Sequence, residues 1–410
     1  MVDICRRGTA RLRTTAAAGT RNSYVDPTSQ RDRRERSVNN VKAKTPHNHI
    51  GRAGRKTLGV GLAGLAVIGA ACGSSSTPTS SSASTTGGSA PAKLTTVKIS
   101  QYAGTENSWL TWIAAKQGFY QRNGINPQLV SVSTGAQDAP ALETHAVDIV
   151  NMDLLLAAPT LLSKGVNLTL LTGAFLNPWS VIARKGIVPS SVAAQGFPAS
   201  IKALAGKTVS IVAQGSASSF LVSALEKAVG MSSSSITQVP LGLPSAAIAA
   251  LDANRVDAVM EIPPADFQAK LSGATTLFSF RSPSSKVSSA NPLLGSVLGT
   301  TDGSMWALRS WASSHPAVVA EFRKAMVEAS AWMHNPANFA QVVSTLNEKG
   351  MGLPYSGQQA DAYVHAELSD IVSYYSASSA QAWTSFAEHF GILTKTIPYT
   401  NWWSSSVPQT

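Results

Sequence analysis

The stretch Thr96-Val-Lys-Ile-Ser-Gln-Tyr102, followed within a few residues by Asn107-Ser-Trp-Leu-Thr-Trp-Ile113, decides the fold class. Val97 and Ile99 alternate with polar neighbours at the period of a strand, whereas Trp109, Trp112 and Ile113 share one face at helical spacing. The handover from strand to helix then recurs along the chain. Strands are predicted over 128–133, 147–151 and 168–175, with helices over 137–144 and 154–164. A second series starts after 179–185, with strands over 207–213, 236–240 and 256–261 and helices over 216–229, 245–253 and 264–271. In the helix over 216–229, Leu221, Ala224, Leu225, Ala228 and Val229 form the apolar stripe and Gly230 closes it. Repeated strand–helix units imply a mostly parallel sheet covered by helices, and two such series imply two lobes. The last hundred residues read as helices, the first opening at Pro316 and carrying Val318, Phe322, Ala325, Met326, Ala329, Trp332 and Met333 as a core stripe, with others over 338–346, 358–375 and 380–390.

The composition fits that reading. Of 410 residues, 44% are hydrophobic and 13% charged, well below the usual charged share of about 25%, so a packed core is affordable and a disordered chain is excluded. The formal net charge of +11 sits at one end: residues 1–71 hold 14 Lys and Arg against 4 Asp and Glu, while residues 72–410 hold 19 against 18. The globular part is therefore close to neutral, and no basic face for nucleic acid is expected on it.

Lys42, Lys44, Arg52, Arg55 and Lys56 precede an uncharged run of 15 residues from Thr57 to Ala71, the basic and then apolar pattern of an export signal. The run falls short of the roughly 20 residues of a permanent membrane helix. Its end, Ile68-Gly-Ala-Ala-Cys72, resembles the cleavage site of bacterial lipoproteins, in which the cysteine is acylated and becomes the new N-terminus; Gly69 stands where a leucine is usual. Residues 73–91, of which 12 are Ser or Thr, then form a spacer between lipid and lobe. Residues 1–40 are expected to be an untranslated or disordered extension, with Val38 or Val41 as the initiator, residues 41–71 the lipoprotein signal and 72–93 the linker. The only cysteines are Cys5 and Cys72, so the exported part has no disulfide, thiol nucleophile or cysteine metal site.

Four phrases carry a family resemblance: Trp112-Ile-Ala-Ala-Lys-Gln-Gly-Phe-Tyr-Gln-Arg-Asn-Gly-Ile125, the segment from Gly135 through Ala141-Leu-Glu-Thr-His-Ala-Val-Asp148, Ile201-Lys-Ala-Leu-Ala-Gly-Lys-Thr-Val-Ser210, and Ala250-Leu-Asp-Ala-Asn-Arg-Val-Asp257. Together they resemble the solute-binding proteins of ATP-binding-cassette importers in the nitrate, sulfonate, taurine and thiamine-precursor class, from about Val97 to Phe390. The resemblance implies an α/β, type II periplasmic-binding-protein fold of two doubly wound lobes joined by a two-strand hinge, with lobe 1 over 94–183 and 300–410 and lobe 2 over 184–299. It also implies a monomeric receptor, tethered at the outer face of the cytoplasmic membrane, that closes on a small molecule and delivers it to a permease without turnover or cofactor.

Ligands in parallel α/β sheets collect outside the carboxyl ends of the strands. That rule selects Tyr102, Asn107 and Trp109 after the first strand, Thr134 and Gly135 after the second, Asn151 and Asp153 after the third, and Asn177 after the fourth. In the second lobe it selects Gly215, Ser216, Ala217, Ser218 and Ser219, then Gly242 and Glu261. The turn at 214–219 offers backbone N–H groups and a helix dipole to an anion, a part the resemblance also gives it, although Ser216 and Ser218 would equally serve as helix caps. Glu261 and Asp153 are carboxylates able to meet an ammonium or a ring N–H; capping a helix and pairing across the lobes are their alternative tasks. Trp109 suits the core as well as it suits stacking on a ligand. Lys and Arg are missing from these positions, which disfavours nitrate and leaves a sulfonate or taurine-like molecule level with a nitrogen heterocycle. An enzyme on the same scaffold would need cysteine chemistry this chain lacks, and His145, His315, His334, His365 and His389 stand at no metal-ligand spacing. A receptor that serves no permease is the other alternative.

Overall fold

The computed structural model describes residues 93–132, 135–242 and 244–409; the signal segment, Cys72 and Thr134 lie outside them. Ten strands are present among the described residues: β1 (Thr95–Gln101), β2 (Ile125–Ser131), β3 (Val150–Met152), β4 (Leu168–Leu176), β5 (Ser180–Ala183), β6 (Thr208–Ile211), β7 (Thr237–Pro240), β8 (Ala258–Glu261), β9 (Thr275–Ser279) and β10 (Thr301–Leu308). The helices that matter below are α1 (Trp109–Lys116), α2 (Leu154–Thr160), α3 (Ala217–Ala228), α4 (Ala265–Ser272), α5 (Pro316–Met333), α6 (Gln358–Glu367) and α7 (Ala377–His389).

One lobe is built on β1 paired with β2 and on the order β3-β10-β4, the two sets touching where the Ser100 N–H donates to the Ile149 carbonyl at 2.9 Å. The other is a five-stranded sheet in the order β7-β6-β8-β5-β9. The chain passes from the first lobe to the second between β4 and β5 and returns between β9 and β10. These two crossings lie side by side: the Asn177 N–H donates to the Thr300 carbonyl at 2.9 Å and the Phe280 N–H to the Trp179 carbonyl at 2.9 Å. This is the two-lobed, doubly crossed α/β architecture that the resemblance implies.

The sheets are less parallel than the repeating pattern implies. β1 with β2, and β6 with β7 and β8, are parallel, but β10 runs antiparallel to both its neighbours and β5 antiparallel to β8 and β9. The reversed strands are those next to the crossings, where the chain has to enter and leave each lobe. Both β9 and β10 escape the sequence pattern. In β10, Asp302-Gly-Ser304 reads as a turn, yet the strand is buried almost throughout. Gly303 is required there because a β-carbon would lie 2.0 Å from the Phe175 ring, and Gly173 because one would lie 2.0 Å from the Tyr374 carbonyl oxygen.

Two predicted helices end early. The one over 154–164 stops at Thr160 and continues as a 3₁₀ turn, and the one over 358–375 stops at Glu367. In the second case Ile371 and Val372 are extended against β4, with the Val372 N–H on the Ala174 carbonyl at 3.1 Å, so sheet pairing overrides local helical preference. In α5 the buried stripe is Val319, Phe322, Ala325, Met326, Ala329 and Met333, and Phe322 stacks on Tyr120 at 5.7 Å. Burying such a side chain contributes about 1.5–3 kcal/mol. Trp402 is buried near the C-terminus, its ring 5.2 Å from that of Trp306.

Candidate functional site

Where the strand ends of the two lobes converge there is a cavity of about 60 Å³. The first lobe supplies Tyr102 just past β1, Thr105 and Asn107 in the following loop, Gly135, Asn151 and Met152 of β3, Asp153 and Leu156 at the start of α2, and Phe175 of β4. Trp179 comes from the crossing. The second lobe supplies Val212 past β6, Ser216 and Ala217 at the start of α3, and Ile262 past β8. No Lys, Arg or His is among these residues, so the cavity holds no fixed positive charge of its own.

Each polar wall residue is locked by its neighbours. The Tyr102 N–H donates to Ser108 Oγ at 2.8 Å and its hydroxyl to a carboxylate oxygen of Asp138. Asn151 takes its N–H to Ser100 Oγ at 2.9 Å and gives its side-chain NH₂ to the Asn107 carbonyl, leaving Asn151 Oδ1 buried without a donor. Asp153 caps α2, its Oδ1 accepting the Leu156 N–H at 2.8 Å. A capping contact of this kind contributes about 1 kcal/mol.

Three acids surround this wall and none has a basic partner. Burial pushes Asp138 up to about 8, against the stabilising bond from Tyr102. Burial pushes Asp153 up to about 6 against the Leu156 N–H. Asp302 of β10 is fully buried with both oxygens unpartnered, and burial followed by the nearby Asp153 raises it well above the carboxylate range. At neutral pH, Asp138 therefore mostly keeps its proton and Asp153 mostly carries its charge, while Asp302 is shifted toward its protonated form.

The residues singled out from the sequence divide as follows. Tyr102, Asn107, Gly135, Asn151, Asp153, Ser216 and Ala217 line the cavity. Ser216 does not cap α3: its hydroxyl donates to the Ala213 carbonyl at 2.7 Å and meets Ser218 Oγ at 2.9 Å, while Ser218 Oγ accepts the Val212 N–H at 2.9 Å. The first-turn N–H groups of α3, which lack intrahelical acceptors, thus receive no side-chain cap. Gly215 supplies the left-handed turn ahead of them at φ +73°. Ser219 turns to another face and donates to Gln238 Oε1 at 2.7 Å. Trp109 belongs to the core, edge-on to Tyr363 at 5.5 Å. Asn177 is buried in the crossing, where its Oδ1 accepts the Trp179 N–H at 3.2 Å. Gly242 forms a left-handed turn outside the cavity lining. Glu261 is also outside that lining; it is buried without a hydrogen-bond partner for either oxygen, and burial raises it well above the usual carboxylate range. Sequence reasoning missed the apolar walls Met152, Leu156, Phe175, Trp179, Val212 and Ile262, and the acids Asp138 and Asp302. The walls follow from the strand-end rule applied to apolar residues too; Asp302 sits in a strand that reads as a turn.

A second acidic group joins the lobes away from the cavity. Arg281, just past β9, donates to Asp266 of α4 at 2.7 Å and to Asp370 at 2.8 Å through Nε, and forms an ion pair with Glu367 of α6. Glu106, on the loop that also carries Thr105 and Asn107, is buried beside it with no partner for its carboxyl oxygens. Phe267 of α4 packs on Tyr355 at 5.0 Å and Tyr363 at 5.5 Å. Among the described residues no cluster of His, Cys, Asp and Glu is arranged to hold a metal ion, and no helix is long and apolar enough to cross a membrane.

The sequence model of the NMT1-like family matches residues 90–347. No curated protein matches the sequence. Among solved structures, the periplasmic aliphatic sulphonate binding protein SsuA from Escherichia coli is similar with a TM-score of 0.56 at 19% identity, over 75% of this chain and 96% of that one. The alkanesulfonate-binding protein SsuA from Xanthomonas axonopodis pv. citri, bound to MOPS, is similar with a TM-score of 0.56 at 20% identity, over 78% and 100%. The periplasmic nitrate-binding protein NrtA from Synechocystis PCC 6803 is similar with a TM-score of 0.57 at 13% identity, over 75% and 84%.

Proposed function

The chain belongs to the NMT1-like family, and from that membership we propose that it is the extracytoplasmic solute-binding component of an ATP-binding-cassette importer, capturing a small organic molecule between its lobes and passing it to a permease. The observation that carries this reading is the cavity itself: it lies between the lobes, outside converging strand ends, and joins polar groups to an apolar wall of Met152, Leu156, Phe175 and Trp179. Binding, orientation and release are all a receptor needs, and the wall has no activated nucleophile beside a base. With no Lys or Arg in the lining, a bare inorganic anion such as nitrate finds no full charge partner. A sulfonate or taurine-like molecule, or a nitrogen heterocycle, fits better.

The sequence supports delivery at the membrane. Ala70-Ala-Cys72 at the end of an apolar run, followed by a Ser/Thr-rich spacer, is the layout of an acylated tether that leaves the lobes free to reach a permease. Replacing Cys72 with Ala is expected to release the protein from washed membranes; retention of that variant would remove the lipid anchor from the reading.

Thermal-shift screening of the full chain against sulfonates, taurine, pyrimidines and carboxylates tests the receptor itself. At ligand concentrations 100 times Kd, stabilisation of about 2.7 kcal/mol is expected. If no small molecule moves the melting temperature and a protein partner does, the importer reading fails.

A further inference from the structure

We infer that the cavity takes its ligand by a nitrogen-borne cation, a primary ammonium or amidinium group, docked between Asp153 and the free side-chain oxygen of Asn151. This rests on the receptor reading above and narrows it to amine-bearing ligands.

On the first-lobe wall the donor protons are already committed. The Tyr102 hydroxyl gives its proton to Asp138, the Thr105 hydroxyl donates to the Tyr102 carbonyl at 3.2 Å, and the Asn151 NH₂ donates to the Asn107 carbonyl. That last bond fixes the orientation of the Asn151 amide, so the group left over is an oxygen. Asn151 is 1% exposed and its Oδ1 has no partner, an arrangement that is unfavourable unless something donates to it. Asp153 adds a carboxylate whose Oδ1 serves the α2 cap and whose Oδ2 accepts no hydrogen bond among the described residues. Asn107 could offer either a donor or an acceptor, and the Trp179 indole N–H from the crossing is a further donor with no acceptor among the described residues. A wall of open acceptors and one negative charge, with no base to neutralise it, is complementary to a charged N–H donor and repels an anionic oxygen.

The opposite side has different chemistry. Ser216 and Ala217 bring the uncapped first turn of α3 to the cavity, and its N–H groups accommodate the acceptor end of the same ligand. A space of about 60 Å³ has room for roughly four or five water-sized groups, hence for a ligand of a few heavy atoms spanning both ends.

The test uses the full chain and four probes: ethylammonium, acetamidinium, taurine and ethanesulfonate, each followed by calorimetric titration and thermal shift. The three nitrogen-bearing probes are expected to bind at pH 7.5 and ethanesulfonate is not. Asp153→Asn keeps an oxygen for the Leu156 N–H and so keeps the cap, but is expected to weaken ethylammonium at least tenfold; Asn151→Ser is expected to weaken it severalfold. Ethylammonium affinity in the wild type should also fall about tenfold for each pH unit below about 6, where Asp153 takes up its proton. The other ionisable groups facing Asp153 are Asp138, Asp302, Tyr102 and Tyr375, and burial keeps all four uncharged there. Binding of ethanesulfonate without the cations overturns this inference and leaves the receptor reading standing, as does undiminished cation binding by Asp153→Asn. Failure of all four probes also overturns this inference, while the receptor reading falls only if the wider small-molecule screen fails as well.

Discussion

The molecule buries two groups of acids, and they are settled in opposite ways. Asp266, Glu367 and Asp370 meet at Arg281, where one guanidinium ties α4 to the segment around α6 across the lobes. Asp153 lines the cavity, with Asp138 and Asp302 buried nearby and no base among the three, and burial raises all of them toward the protonated form. A buried carboxyl has only these two routes, since an isolated charge in a low-dielectric interior costs several kcal/mol. The first group is given its cation by the protein's own side chains. The second reaches the cavity through Asp153 alone, which is the difference between an element that holds lobes together and one that waits for a partner.

The largest effect expected from this contrast is at Arg281. Replacing it with Met strands Asp266, Glu367 and Asp370 without their cation, and removing one partner of a buried ion pair costs on the order of 3–5 kcal/mol. Urea unfolding at pH 7.5 measures it. A change under about 1 kcal/mol would mean that the cluster is solvated in solution and the contrast between the two groups is false. Lowering the pH should partly rescue the variant, because the stranded acids can then take up protons; burial and the nearby Asp266 already push Glu367 up to about 7 in the wild type, against the pull of Arg281.

Next in size is the pH dependence of stability. Asp153, Glu367 and Asp138 have native values raised to about 6, 7 and 8, all above their unfolded values near 4. A raised native value means that the folded state holds its proton more tightly than the unfolded one. The contribution is complete below about pH 4 and is lost progressively as pH rises through the native values, at up to about 1.4 kcal/mol per pH unit for each group. The ligand-free protein should therefore melt higher at pH 5 than at pH 8.5. Asp138→Asn keeps a partner for the Tyr102 hydroxyl and removes that titration, so its melting curve should flatten between pH 5 and 8. An unchanged slope in this variant would show that Asp138 is charged and solvated.

How far the sequence discloses these groups depends on where each residue lies. The lobes are legible because β1, β6 and β8 carry β-branched and apolar residues at the sheet period and α3 carries an unbroken stripe. The strand-end rule then finds Tyr102, Asn151, Asp153 and Ser216 without coordinates. It misses Asp302, because Asp302-Gly-Ser304 has turn composition; long-range pairing of β10 with β3 and β4, with Gly303 fitted under the Phe175 ring, makes it a strand. It also misses the Arg281 cluster, whose members are spread over 105 residues of sequence and meet only when the lobes are assembled. Glu261 shows the reverse failure: it stands at a strand end like Asp153, but it is buried outside the cavity lining, and Ile262 after it makes the contact. Alternation along a strand decides which of two neighbours faces the ligand, and at a strand's last residue that alternation is not legible.

The smallest effect is also the finest probe of the contrast, and it lies at Asp153. Its carboxylate has two tasks that substitutions can separate. Asp153→Ala removes both, and loss of the cap alone should cost about 1 kcal/mol at any pH. Asp153→Asn keeps an oxygen for the Leu156 N–H and removes only the charge, so it should match the wild type below about pH 4, where the carboxyl is protonated in the folded and unfolded chains alike. At pH 8 it should be more stable than the wild type, by roughly 1.4 kcal/mol for each pH unit by which burial has raised the native value. Burying one open charge at the cavity is thus a standing cost in the ligand-free protein. If the Asn variant gains nothing at pH 8, Asp153 is already paid its partner by water or by the lobes opening, and the cavity acids are no longer distinct from ordinary surface carboxylates.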